Sequence, residues 1–113
     1  MAQEPAHEVP DGSAVFPLIP AELGIHPLLL AVLQATVFFD GSSADVVHPA
    51  AADEAMNYIV TYLARLQGSE LQRVREDIEC LLEFARHNRW PKEEVEFLQS
   101  FLADYGIGSQ DHA

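Results

Sequence analysis

Residues 70–87 read ELQRVREDIECLLEFARH, with Leu71, Val74, Ile78, Leu81, Leu82 and Ala85 recurring at steps of three and four. That spacing follows the 3.6-residue turn of an α-helix and not the alternation of a half-buried strand. Gln72, Arg73, Glu76, Glu79, Glu83 and His87 fall on the opposite side of the wheel. The segment reads as an amphipathic helix with one face on a core and the other in water. Just upstream, Gly68 is expected to close the preceding helix in the left-handed conformation. Ser69 then caps the next helix, with Gln72 completing a capping box.

The neighbouring helices follow from start and stop signals. After Arg89-Trp90-Pro91 breaks the long helix, a fourth is expected over 91–105, with a stripe of Val95, Leu98, Phe101, Leu102 and Tyr105. Gly106 ends it, Ile107 folds back as the apolar contact of the cap, and residues 108–113 fray. Upstream, His48-Pro49 opens a helix over 49–67. Its core arc is Ala52, Ala55, Met56, Ile59, Tyr62, Leu63 and Leu66. His26-Pro27 opens another over 27–39, since proline suits the first helical position. That first helix is apolar in nearly every direction, so it is expected to be central to the fold or half of a dimer interface. Ala21 to Gly24 add one helical turn. Residues 1–17 read as a flexible acidic arm containing proline, of which the stretch 15–20 can lie extended against the domain at 18–107.

The expected architecture is all-α: a four-helix bundle-like single domain of 113 residues with an extended acidic N-terminal arm. Short connections imply antiparallel neighbours, as in an up-and-down bundle. No internal duplication is inferred from the two His-Pro starts, because the segments that follow them do not match.

Charge narrows the function. The chain has 18 Asp and Glu against 6 Lys and Arg, a formal net charge of −12. No basic side chain precedes Arg65, so the first 64 residues carry eight carboxylates and neither Lys nor Arg. Such a surface repels phosphates, which excludes direct binding of DNA or RNA. It favours basic protein partners or divalent cations. The longest apolar stretch, Leu28 to Phe39, falls well short of the roughly 20 residues that span a bilayer. The first ten residues lack the basic and apolar regions of a secretory signal. With the single Cys80 fitting a reducing compartment, a cytoplasmic protein without membrane contact is expected.

Catalytic motifs are lacking. Cys80 lies between Glu76 and Glu83 on the polar side of the third helix with no base beside it, the serines sit at helix junctions, and no phosphate-cradling glycine pattern occurs. In the up-and-down arrangement Asp40, Asp45, His48, Asp53, His87, Glu93 and Glu94 gather at one end. His48, His87, Asp45 and Asp53 are then the candidate ligands of a divalent metal such as zinc. The chain has none of the usual His/Glu ligand spacings, and acids at helix starts already suit the helix dipole. Glu79, Glu83 and His87 line up on the third helix but face water.

The aromatic residues give the other lead. Phe38 and Phe39 are adjacent and cannot both point inward, Tyr58 and Phe97 lie off their core arcs, and Trp90 sits in a turn. Exposed together, Phe38, Phe39, Tyr58, Trp90 and Phe97 would form an interaction surface. The favoured function is a non-catalytic acidic helical protein-interaction module, adaptor-like or inhibitor-like, that binds a protein partner or itself as a homodimer, with no cofactor. The competing readings are the metal-dependent site and a small-molecule pocket lined by Tyr58, Tyr62 and Trp90.

Overall fold

Two His-Pro pairs start the first two helices by the same device. In the computed structural model, which describes residues 10–107, His26 and His48 are N-caps. Each imidazole Nδ1 accepts a hydrogen bond from the backbone N–H two residues on, Leu28 and Ala50 respectively, at 3.1 Å. Proline follows at the first helical position in both cases, where no N–H is missed. A 3-10 turn at Ala21–Leu23 precedes them, closed by Gly24 in the left-handed conformation. The helices are α1 (Pro27–Gly41), α2 (Pro49–Leu63), α3 (Gly68–His87) and α4 (Lys92–Asp104). Among the described residues there is no strand, and no helix is long and apolar enough to cross a membrane. The all-helical, bundle-like domain read from the periodicity is the observed one.

The helices associate chiefly as two pairs, α1 with α2 and α3 with α4. The core is built from Leu29 and Leu33 of α1, Leu71, Ile78, Leu81, Leu82 and Ala85 of α3, and Leu98 and Phe101 of α4. Phe16, Ile25 and Ile107 complete it from outside the helices. These positions are the expected stripes of α3 and α4. The contribution of α2 differs from the expectation. Its buried side chains, Ala52 and Met56, lie outside that cluster, while Leu63 and Leu66 at its far end pack against it. Its contacts are chiefly with α1, so the helix rides on α1 as a flank. Tyr62, expected inside, is 60% exposed with the Arg65 guanidinium stacked 4.8 Å from its ring centre.

The α2–α3 junction also departs from expectation. The α-helical stretch of α2 stops at Leu63, and the chain tightens through three-residue bonds from Arg65 N–H to the Tyr62 carbonyl and from Leu66 N–H to the Leu63 carbonyl. Gly68, with φ of +60°, belongs to the start of α3, and Gln67 is its N-cap with no side-chain bond. The Ser69–Gln72 capping box is absent, and the Gln72 amide instead donates to Glu76 one turn on.

The C-terminal ends of α3 and α4 share one motif. Gly106 N–H bonds the Ala103 carbonyl, and Ile107 N–H bonds that of Leu102 at 2.8 Å, with Ile107 buried. At the end of α3, Arg89 N–H bonds Arg86 and Trp90 N–H bonds Ala85 in the same pattern. Here the left-handed position is taken by Arg89, at φ +57°, where glycine would sit more easily.

The packed domain begins earlier than residue 18. Phe16 is 2% exposed and meets Trp90 and Phe97 edge-on, at ring separations of 5.5 and 6.2 Å. Its backbone N–H donates to Gln34 Oε1 at 3.1 Å, and the Gln34 amide donates back to the Phe16 carbonyl. Ala14 N–H reaches Ser42 Oγ at 2.9 Å, and Ser43 N–H reaches the Gly12 carbonyl. An extended strap over 12–16 thus lies along the C-terminal part of α1. The expected flexible stretch at residues 1–9 lies outside the described residues, as does the expected fraying at 108–113.

Candidate interaction surface

Asp77 and the first turn of α1 set the geometry of the surface. Asp77 is buried on α3, and its Oδ2 accepts the backbone N–H of His26 at 3.0 Å. Arg73, one turn earlier, donates Nε to both Asp77 oxygens at 3.1 Å and Nη2 to the Gly24 carbonyl at 3.0 Å. One ion pair therefore fastens the 24–26 turn to α3, and with it the start of α1. Asp77 was missed in the sequence because its partner is a main-chain group 51 positions away. A signal existed: Asp77 lies three residues after Val74 and four before Leu81, inside the apolar stripe. An acid there requires a buried partner.

Beside this fastening opens a largely apolar cavity of about 490 Å³. Leu28, Leu29 and Val32 of α1 form one wall, Leu63 and Leu66 a second, and Val74, Phe101 and Ile107 the floor, with Arg73 and Glu70 among the polar lining groups. Leu28 stands at its edge 71% exposed. Of the two expectations for α1, enclosure at the centre of the domain does not hold, since Phe38 is also exposed and Leu30, Val32, Val37 and Phe39 are only half-buried. An exposed leucine alone is ordinary, but one at the mouth of an apolar cavity on a half-covered helix forms a coherent surface.

The five aromatic residues singled out in the sequence are not brought together. Trp90 and Phe97 are half-buried and engaged: Trp90 with Phe16 and Phe84, Phe97 with Phe16 and Phe101. Phe38 and Phe39 contact each other edge-on, and Tyr58 is exposed on α2. Tyr58, Tyr62 and Trp90 line neither the Leu28 cavity nor a smaller one between α1 and α4. The lining of the Leu28 cavity comes instead mostly from core-type aliphatic residues.

Nor are the candidate metal ligands gathered. His48 spends its Nδ1 on the cap of α2, and Asp45, Asp53 and His87 are exposed. Among the described residues no three His, Cys, Asp or Glu side chains converge in a way that could hold a metal ion. Three of the acids expected at one end of the bundle, Asp40, Glu93 and Glu94, do line one smaller cavity of about 290 Å³ between α1 and α4. There the Tyr105 hydroxyl donates to Asp40 Oδ2. Burial pushes the Tyr105 phenol well above the ordinary tyrosine value, and the hydrogen bond and charge of Asp40, then the charge of Asp104, push it further. Cys80 is free and half-buried against the core.

Compared with models of known protein families, with curated proteins and with solved structures, the chain matches none.

Proposed function

We propose that this chain is a non-catalytic acidic helical module that binds a protein partner, in the manner of an adaptor or inhibitor, through the uncovered side of α1 and the cavity beside it. The observation that carries the reading is Leu28, 71% exposed at the edge of a cavity walled by Leu29, Val32, Leu63 and Leu66. An aliphatic wall with a half-covered helix beside it suits an apolar anchor side chain from a partner, framed by the polar groups of Arg73 and Glu70. The partner is a separate basic protein or a second copy of the chain.

The reading requires Leu28 to be dispensable for folding. Leu28→Glu is expected to change the unfolding free energy by no more than about 0.5 kcal/mol, as exposed positions do. A loss of several kcal/mol would make Leu28 a fold residue and remove the basis of the reading. Light scattering of the wild-type chain across a wide concentration range then separates the two partners. A dimer dispersed by Leu28→Glu is self-association, and a monomer at all concentrations points to a separate protein.

A further inference from the structure

The smaller cavity lies on the other flank of α1, between its C-terminal half and the start of α4. Val37 and Phe97 form apolar walls, and Asp40, Glu93 and Glu94 supply carboxylates. None of its lining residues is basic. The nearest base in sequence, Lys92, is directed to Glu96, at 3.8 Å. Glu93 and Glu94 in the first turn of α4 suit its dipole, and Asp40 accepts from Tyr105, so acids alone do not make a site. A second observation does point to an occupant. Thr36, also lining the cavity, is 0% exposed, and its hydroxyl has no hydrogen-bond partner. A threonine in a helix ordinarily settles its hydroxyl on the carbonyl one turn back, and this one does not.

At about 290 Å³ the cavity is at the lower edge of ligand-pocket sizes, suited to one inserted side chain. Its walls select the kind. Carboxylates beside an aromatic ring and a vacant hydroxyl acceptor match a planar donor that stacks and hydrogen-bonds at once. Arginine does this better than lysine, because its guanidinium is less strongly hydrated and presents a fork of N–H groups. The carboxylates do not converge on a metal ion, whereas a guanidinium spans a wider set of acceptors. The first 64 residues, with eight acids and no Lys or Arg, add a long-range field of the same sign. We propose that this slot receives the side chain of an arginine from a basic segment of a partner protein. The inference rests on the reading of the chain as a protein-binding module and gives that partner its chemistry.

The test uses the full ¹⁵N-labelled chain, titrated with a short acetylated peptide in which one arginine is flanked by leucine and alanine. Two comparisons accompany it: the same peptide with citrulline, a neutral isostere, in place of arginine, and spermidine. The arginine peptide is expected to give saturable amide shifts confined to residues 36–41 and 93–97, weakening as salt is raised. Citrulline is expected to weaken binding about tenfold or more, in line with loss of a charge-assisted pair. Glu94→Gln should weaken it severalfold. Thr36→Val should also weaken it severalfold while leaving the melting temperature unchanged or higher, which separates loss of the hydroxyl from loss of the fold. Equal binding of the citrulline peptide, shifts scattered over the acidic surface, unchanged affinity in Thr36→Val, or the same saturable shifts with spermidine would each overturn the proposal. If the peptide fails while position 28 still contacts a partner, the slot alone falls. If both fail, the module reading falls with it.

Discussion

Asp77 on α3 accepts the backbone N–H of His26, the N-cap of α1, at 3.0 Å. The same carboxylate holds Arg73, which in turn reaches the Gly24 carbonyl. One buried acid, with the arginine it holds, thus ties the N-terminal turn to α3, and the Leu28 cavity opens beside it. Asp77→Ala is expected to cost about 1.5–3 kcal/mol, the range for a buried hydrogen bond to a charged group. Arg73→Ala, whose side chain is half-exposed, should cost about 1 kcal/mol or less. Urea denaturation of both variants checks the order, and an Arg73 effect exceeding that of Asp77 would contradict it.

The histidine caps should behave as independent devices. His26→Ala and His48→Ala are each expected to lose about 1 kcal/mol, the usual value of an N-cap. His48 acts on α2 alone, whereas His26 caps a helix start already fastened by Asp77. The double variant should show near-additive losses, and strong coupling in a double-mutant cycle would show that the two helix starts are not separate.

Arg89 occupies the left-handed position that ends α3. Arg89→Gly relieves a strain of about 1–2 kcal/mol at the expense of about 0.5–1 kcal/mol in chain entropy. A net gain of up to about 1 kcal/mol is expected in thermal or urea unfolding, and a loss would mean that the Arg89 side chain contributes contacts of its own.

Tyr105 gives the fold an alkaline limit. Its phenol is raised above the value it has in the unfolded chain, by burial first and by Asp40 second. A group raised on folding contributes stability that is fully present below its unfolded value, near pH 10, and is lost as pH climbs through the folded value. Unfolding free energy should therefore fall with rising pH above about 10. In Tyr105→Phe this part of the slope should vanish, and an unchanged slope would assign the alkaline loss elsewhere.

Much of the fold was legible because periodicity and punctuation agreed. The stripes of α3 and α4, the prolines opening α1 and α2, and the Gly106–Ile107 cap all express local rules read within a few residues. What escaped was non-local. Phe16 sits in a stretch whose prolines and acids resemble a loose arm, yet its ring fills a gap between Trp90 and Phe97. Because it does so, those two rings are engaged and not free to form the expected surface. Tyr62 falls on the apolar arc of α2, but that arc is fully buried only at Ala52 and Met56, since α2 leans on α1 instead of lying in the central cluster. The candidate surface was half legible: the excess of apolar residues in α1 pointed to it, while the particular aromatic residues did not.

The measurement that bears most directly on the central claim is site-specific photo-crosslinking in cells that make the protein. A photoreactive phenylalanine analogue is placed at Leu28 in one version and at Glu79, on the exposed side of α3, in another. The account predicts a discrete protein adduct at position 28, either a heterologous partner or a second copy, that is absent at position 79 and disappears when Val32→Asp fills the cavity wall with charge. Equal adducts from both positions, or none from position 28, would contradict it.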